Sequence, residues 1–172
     1  MCSEVENVNK RRYFANKAWF ENHKGACNAL AFLYKFLPYV MVAAVPALII
    51  MKAFMGIDMD FLRMIYIPVF VLILTTVLRK IINKPRPYEV YETTPVIKRN
   101  GKGESIPSRH TSSAFIIAMA AIPVSLPLFI ALSIIAVIIA LTRIFAGVHF
   151  ISDVIVGALI SIVVGLIFFI LL

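Results

Sequence analysis

Three short polar segments carry side chains that could hold and attack a phosphoryl group: 79–87 (RKIINKPRP), 107–110 (PSRH) and 142–153 (TRIFAGVHFISD). They contribute Arg79, Arg86, Arg109 and Arg143 as cations, Ser108 as a hydroxyl, His110 and His149 as imidazoles, and Asp153 as a carboxylate. Guanidinium groups match phosphate oxygens with a planar fork of donors, and imidazole changes charge near neutral pH. In the first segment Pro85 and Pro87 flank Arg86 and force an extended path that aims its guanidinium. In the second, Pro107 suits a first helical position with Ser105 or Ser108 as cap, and the free N–H groups of such a helix start bind phosphate. His110 has no acidic neighbour in sequence and is free to protonate a leaving oxygen. In the third, His149 and Asp153 lie four residues apart, on one face of a helix. There the carboxylate can hold one imidazole nitrogen and leave the other to act as base or nucleophile. Gly147 supplies a break that lets Arg143 and His149 reach a common point.

The elements that must position these groups are membrane helices. Of 172 residues, 61% are hydrophobic and 15% charged, and the mean hydropathy is +0.92, which excludes an ordinary soluble domain. Apolar runs at 33–54, 61–78, 112–126, 128–145 and 154–172 are the expected spans, since a helix needs about 20 residues to cross ~30 Å of hydrocarbon. The third is the shortest and contains Pro123, so a tight hairpin around 125–127 is expected before the fourth. Alternating spans bring all three polar segments to one face, where they can form one site.

Residues 10–36 mix Lys10, Arg11, Arg12, Lys17 and Lys24 with Tyr13, Phe14, Trp19, Phe20 and Tyr34, a composition suited to a helix in the headgroup layer. The expected fold class is therefore all-α: a polytopic transmembrane bundle of five to six helices with an N-terminal interfacial helix. Residues 1–32 form the basic and aromatic interfacial segment, and 33–172 the catalytic bundle. His23 is expected to be a solvated surface residue. Cys2 and Cys27 match no metal spacing and are read as incidental thiols. The polar start of the chain does not suit a cleavable signal, so it is expected to stay on the mature protein. On the last span Asp153, Gly157, Ser161 and Gly165 recur every four residues, a stripe of small side chains expected to pack inside the bundle.

The three segments together resemble the signature of the type 2 phosphatidic acid phosphatase (PAP2) superfamily, K-x6-RP, PSGH and SR-x5-H-x3-D. Arg86 and Pro87 match the RP, Pro107, Ser108 and His110 match three of the four PSGH positions, and Arg143, His149 and Asp153 match the third motif at its spacing. Arg79 stands at the Lys position, Arg109 at the Gly and Thr142 at the Ser. Arg for Lys keeps the charge and adds a planar fork. Lys80, one residue later, points elsewhere on its helix, and it and Thr142 are secondary candidates.

The resemblance implies phosphoryl transfer through a phosphohistidine, without metal or other cofactor. His149 would be the nucleophile oriented by Asp153, with His110 donating a proton to the leaving oxygen and later helping to activate water. Arg79, Arg86, Ser108, Arg109 and Arg143 would hold phosphate oxygens. Among these residues only Asp153 is a carboxylate, whereas hard divalent cations want several oxygen ligands.

The expected partner is a lipid phosphate in a bilayer: prenyl diphosphate such as undecaprenyl diphosphate, phosphatidylglycerol phosphate, or phosphatidate. The resemblance also implies a multi-pass protein of the bacterial inner membrane. The net charge of +8 is accounted for by basic residues at membrane interfaces, so no nucleic-acid partner is expected. A homo-oligomer is neither required nor excluded. The positive-inside count assigns the motif face to the cytoplasm, whereas many bacterial relatives work on the outer face. The alternatives are a catalytically silent lipid-phosphate-binding protein and a small transporter, whose charged sites belong nearer the midplane.

Overall fold

The computed structural model describes residues 2–99 and 101–172, with side chains from residue 9 onward, so the expectation for Cys2 lies outside the described side chains. The described residues form helices and connecting segments and no strand. Helix α1 (Cys2–Asn22) is followed, after a break at His23, by α2 (Lys24–Met55) and α3 (Met59–Ile82). A short helix, α4 (Pro87–Val90), precedes α5 (Arg109–Met119), α6 (Leu126–Phe145) and α7 (Ile151–Leu166), which ends in a π-helical turn, Ile167–Leu171. The segments Lys24–Met55, Met59–Val90, Leu126–Phe145 and Ile151–Leu171 are long and apolar enough to cross a membrane. Their outward positions carry exposed Phe, Leu, Ile and Val, among them Phe32, Phe70, Ile134, Ile155 and Leu159. These are the side chains that face lipid when the backbone satisfies itself within helices.

Two boundaries depart from the sequence reading. The first spanning helix begins at Lys24 rather than at 33, because nothing between Gly25 and Leu33 breaks a helix and Lys24 can snorkel to the interface. The expected third span, 112–126, is instead the 11-residue α5 followed by a turn. At 1.5 Å per residue α5 is about 16 Å long, roughly half the hydrocarbon thickness. The cause is Pro123, whose ring would clash with the carbonyl of Met119, the residue at which α5 ends. The chain turns through 120–124 and restarts at Leu126 with Pro127 in the first turn, close to the expected hairpin.

The short helix is the centre of the molecule. Helix α5 packs against α2, α3, α6 and α7, and Ala114, Ile116, Ile117, Ala118 and Met119 are buried. The small-residue stripe of α7 faces it: a Cβ on Gly157 would come within 2.8 Å of the Ser108 carbonyl oxygen, and one on Gly165 within 2.6 Å of Met119. The Ser161 hydroxyl donates to the Ser112 carbonyl at 2.7 Å. The stripe thus works inside the bundle, seating α5 so that its N-terminus meets the start of α7.

Helix α1 lies over the end of the bundle that carries the polar segments. Asn16 donates to the Phe145 carbonyl at 2.9 Å, Lys17 to the Thr93 hydroxyl at 2.8 Å, and the Tyr13 hydroxyl to the Gly147 carbonyl at 3.4 Å. His23 is exposed and stacks on Trp19 at 4.4 Å. Cys27 is a free, half-buried thiol.

Candidate active site

Helix ends converge at one end of the bundle. Helix α3 closes with Asn83 in a left-handed conformation (φ 42°, ψ 41°), which stops the helix just after Arg79 and turns the chain toward Arg86. Arg86 is extended (φ −86°, ψ 162°), with Pro87 opening α4, as the flanking prolines require. Its guanidinium is 3% exposed and donates to three carbonyls: Gly103 at 3.0 Å, Val148 at 3.2 Å and Glu104 at 3.3 Å. The Glu89 carboxylate accepts from the Arg86 and Gly103 amides, which staples the loop before α5 to the start of α4.

Helix α6 ends at Phe145, and the chain turns at Gly147, where φ is +73°. A side chain there would also strike the Tyr13 hydroxyl, at 2.9 Å. The Gly147 turn separates Arg143, still on α6, from His149, which precedes α7. His149 and Asp153 therefore do not share a helix. Asp153 sits in the first turn of α7, its Oδ2 accepting the Phe150 amide at 3.0 Å, and lies 3.7 Å from Nδ1 of His149. The juxtaposition read as helical periodicity is made by a capping carboxylate reaching back over the helix start.

The structure brings His110, His149, Asp153, Arg79, Arg86, Ser108 and Arg143 together. All are buried except His110, which is half-buried. Arg143 is 1% exposed, lies 3.8 Å over the Tyr34 ring and donates to the Tyr34 carbonyl at 3.1 Å. Arg79 faces Glu104 at 3.8 Å. The Ser108 amide is engaged by the Asp153 carbonyl at 2.9 Å, so it is not a free helix-start donor. The hydroxyl accepts from Thr111 at 3.0 Å, which leaves its own proton uncommitted. Arg109 is exposed at the rim. The two secondary candidates stand apart: Lys80 is exposed, and the Thr142 hydroxyl donates to the Ile139 carbonyl of its own helix at 2.7 Å.

Four buried side-chain nitrogens among the described residues have no hydrogen-bond partner: Arg79 Nε, His110 Nδ1, Arg143 Nε and His149 Nε2. Buried polar groups are nearly always satisfied, and leaving one unpaired costs about 1–3 kcal/mol. All four belong to the motif residues. Burial lowers the His149 pKa to about 4, with the Asp153 hydrogen bond opposing and the Arg86 charge assisting, so its imidazole is neutral. Burial, then Arg143 and Arg99, depress His110 to about 3.

Sequence reasoning missed four contributors. Lys84, a basic residue of the first polar segment, pairs with Asp153 at 3.0 Å and lies over the Phe150 ring. Ser105, considered only as a cap, donates to Asp153 Oδ2 at 2.5 Å and sits 3.5 Å from His149 Nδ1. Tyr34, counted as an interfacial aromatic, and Arg99, given no role from sequence, meet at 3.4 Å beside Arg143. The only available signal was proximity to the motifs, which Lys84 and Ser105 have and Tyr34 and Arg99 lack.

Two cavities reach the site. One, of about 700 Å³, runs between α2, α3, α5 and α6, has apolar walls that include Pro38, Met41, Val42 and Leu72, and ends at His110, Arg143, Arg99 and Arg109. The other, of about 750 Å³, lies under α1 and ends at His149, with Arg12, Tyr13 and Lys84 on its walls. Among the described residues no cluster of three or more His, Cys, Asp or Glu is arranged to hold a metal ion.

The fold has solved counterparts. One is a transmembrane PAP2-type phosphatidylglycerolphosphate phosphatase from Bacillus subtilis, 22% identical, with a TM-score of 0.56 over 90% of this chain and 89% of that one. Another is LpxE from Aquifex aeolicus, 28% identical, with a TM-score of 0.50 over 90% and 82%. No curated protein is detectably similar in sequence. The PAP2 superfamily model matches residues 60–172, which include all three polar segments, so the chain belongs to the PAP2 superfamily and is an integral membrane phosphatase.

Proposed function

We propose that this protein is a metal-independent lipid phosphate phosphatase of a bacterial inner membrane, working through a phosphohistidine on His149. The observation that carries the reading is the set of four buried, unpartnered nitrogens, two imidazole and two guanidinium, all on motif residues at one end of the bundle. His149, neutral and backed by Asp153, attacks phosphorus through Nε2. Arg79, Arg86, Arg143 and Ser108 hold the equatorial oxygens, where charge builds in the transition state. His110 protonates the leaving oxygen and then takes a proton from the water that cleaves the P–N bond, releasing inorganic phosphate. His149 faces one cavity and His110 the other, which suits a displacement with attacking and leaving atoms roughly in line.

The substrate is amphiphilic, since the cavity ending at His110 has apolar walls and lies among membrane-spanning helices. Prenyl diphosphate, phosphatidylglycerol phosphate and phosphatidate all have the required phosphate on an apolar chain. Helix α1 serves as the interfacial segment, and the chain from Lys24 onward as the catalytic bundle.

The test is phosphate release by detergent-solubilised protein from these three lipids in EDTA, with His149→Ala alongside and acid-labile, base-stable label on the protein sought after a rapid quench with labelled substrate. Release that survives EDTA, with label lost in the variant, is expected. A requirement for divalent cation, or activity persisting without His149, overturns the mechanism.

A further inference from the structure

Arg99 belongs to none of the three motifs, yet it is held beside them. The loop between α4 and α5 carries it to the cavity that ends at His110. There it donates to the Tyr34 hydroxyl at 3.4 Å, while Arg143 covers the face of the same ring and bonds the Tyr34 carbonyl. One tyrosine thus spaces two guanidinium groups, one in the phosphate cage and one outside it. Arg109, at the residue where the superfamily pattern has glycine, lines the same cavity from the start of α5. No carboxylate lines this cavity with them, and neither arginine is in an ion pair among the described residues. Two unpaired cations on the walls of one cavity repel, and their placement is favourable when an anion lies between them.

Which part of a substrate meets this pair follows from the site's polarity. His149 opens on the cavity beneath α1, and His110 on the cavity that contains Arg99 and Arg109. With His149 as nucleophile and His110 as acid, a reading on which this inference rests, whatever occupies the His110 cavity is the leaving group. We infer that Arg99 and Arg109 form a second anion subsite on the leaving-group side, selecting lipids whose leaving group itself carries a phosphate.

Two lipid classes meet that chemistry: a lipid diphosphate, and a glycerol-bridged phospholipid phosphate such as phosphatidylglycerol phosphate. The leaving groups of phosphatidate and prenyl monophosphate are neutral alcohols and do not meet it. In the first step the His149 nitrogen forms a bond to the terminal phosphorus and the bridging P–O bond breaks. The departing oxygen takes the His110 proton, and the departing lipid phosphate stays anionic between the two arginines. Water then cleaves the P–N bond, its proton returning to His110.

The experiment is steady-state kinetics in mixed micelles on four lipids: prenyl diphosphate, prenyl monophosphate, phosphatidylglycerol phosphate and phosphatidate. Each is measured with the wild type, Arg99→Gln, Arg99→Lys and His149→Ala. Losing one charge-assisted contact lowers kcat/KM about 10- to 100-fold. We expect that loss for Arg99→Gln on at least one two-phosphate lipid, a much smaller loss on both monoesters, and partial recovery in Arg99→Lys. The chain that shows the effect identifies whether the second phosphate is directly bonded or glycerol-bridged. Equal losses on all four lipids, or no loss on any, overturn the second subsite while leaving the phosphatase reading intact. Activity unaffected by His149→Ala overturns the reading beneath it.

Discussion

The two ends of the bundle treat buried charge in opposite ways. At the end away from the motifs, Lys52 is 6% exposed and closes on Asp58 at 2.7 Å, and Asp58 also caps α3 through the Phe61 amide. Arg63 pairs with Asp60 at 3.0 Å and donates to the Leu172 carbonyl. At the motif end, Arg79, Arg143, His110 and His149 each keep a buried nitrogen without a partner. A charge buried for structure is paired, because an unpaired one is costly. A charge buried to bind an anion is left short of partners, and the pairing around it is made by rigid carbonyls, as at Arg86. The contrast separates structure from function more sharply than charge or burial alone.

Substitutions at the two ends should therefore fail differently. His149→Ala should lower kcat by about 10⁴-fold or more with little change in thermal stability, measured by phosphate release and by melting in detergent. A large fall in melting temperature would place His149 with the structural charges. Arg143→Ala should cost about 10²- to 10³-fold in kcat, the usual loss on removing one transition-state donor; a change in KM alone would make it a ground-state contact.

Lys84→Met leaves Asp153 buried beside one fewer cation. A fall of about tenfold in kcat is expected, from weaker orientation of His149; unchanged kcat would make the Lys84 pair structural. Lys52→Met is the converse case. It should leave kcat/KM near wild type and lower the melting temperature in detergent only slightly, because Asp58 is exposed and water screens the pair.

The pH profile adds a smaller effect. Since burial lowers the His149 pKa to about 4, the nucleophile stays neutral well below pH 6.5, and its acid limb in kcat/KM should lie near 4. Asp153 raises that pKa, so Asp153→Asn should reduce the height of the profile without moving this limb upward. By linkage, the His149 contribution to stability is present above pH 6.5 and fades as pH falls toward 4.

Much of the site was legible in the chain itself because membrane composition makes polar side chains conspicuous. Arg79, Arg86, His110, Arg143, His149 and Asp153 stand out against apolar runs, and their order and spacing suffice to group them. Lys84 and Ser105 were not legible as Asp153 ligands, because one lies 69 positions away and the other 48, and nothing local says which carboxylate they meet. Tyr34 was read from composition as an interfacial aromatic, yet its ring and hydroxyl space two arginines.

What the sequence alone determined is four of its five expected spans, the three polar segments and the breaks at Pro123 and Gly147, since each depends on hydropathy or on backbone sterics acting within a few residues. Only the tertiary structure decided that α5 is a short central helix, that His149 meets Asp153 across a helix start, and that each imidazole faces its own cavity. Those outcomes depend on how helices dock, which is set by contacts between residues far apart, Gly157 against Ser108 and Gly165 against Met119 among them.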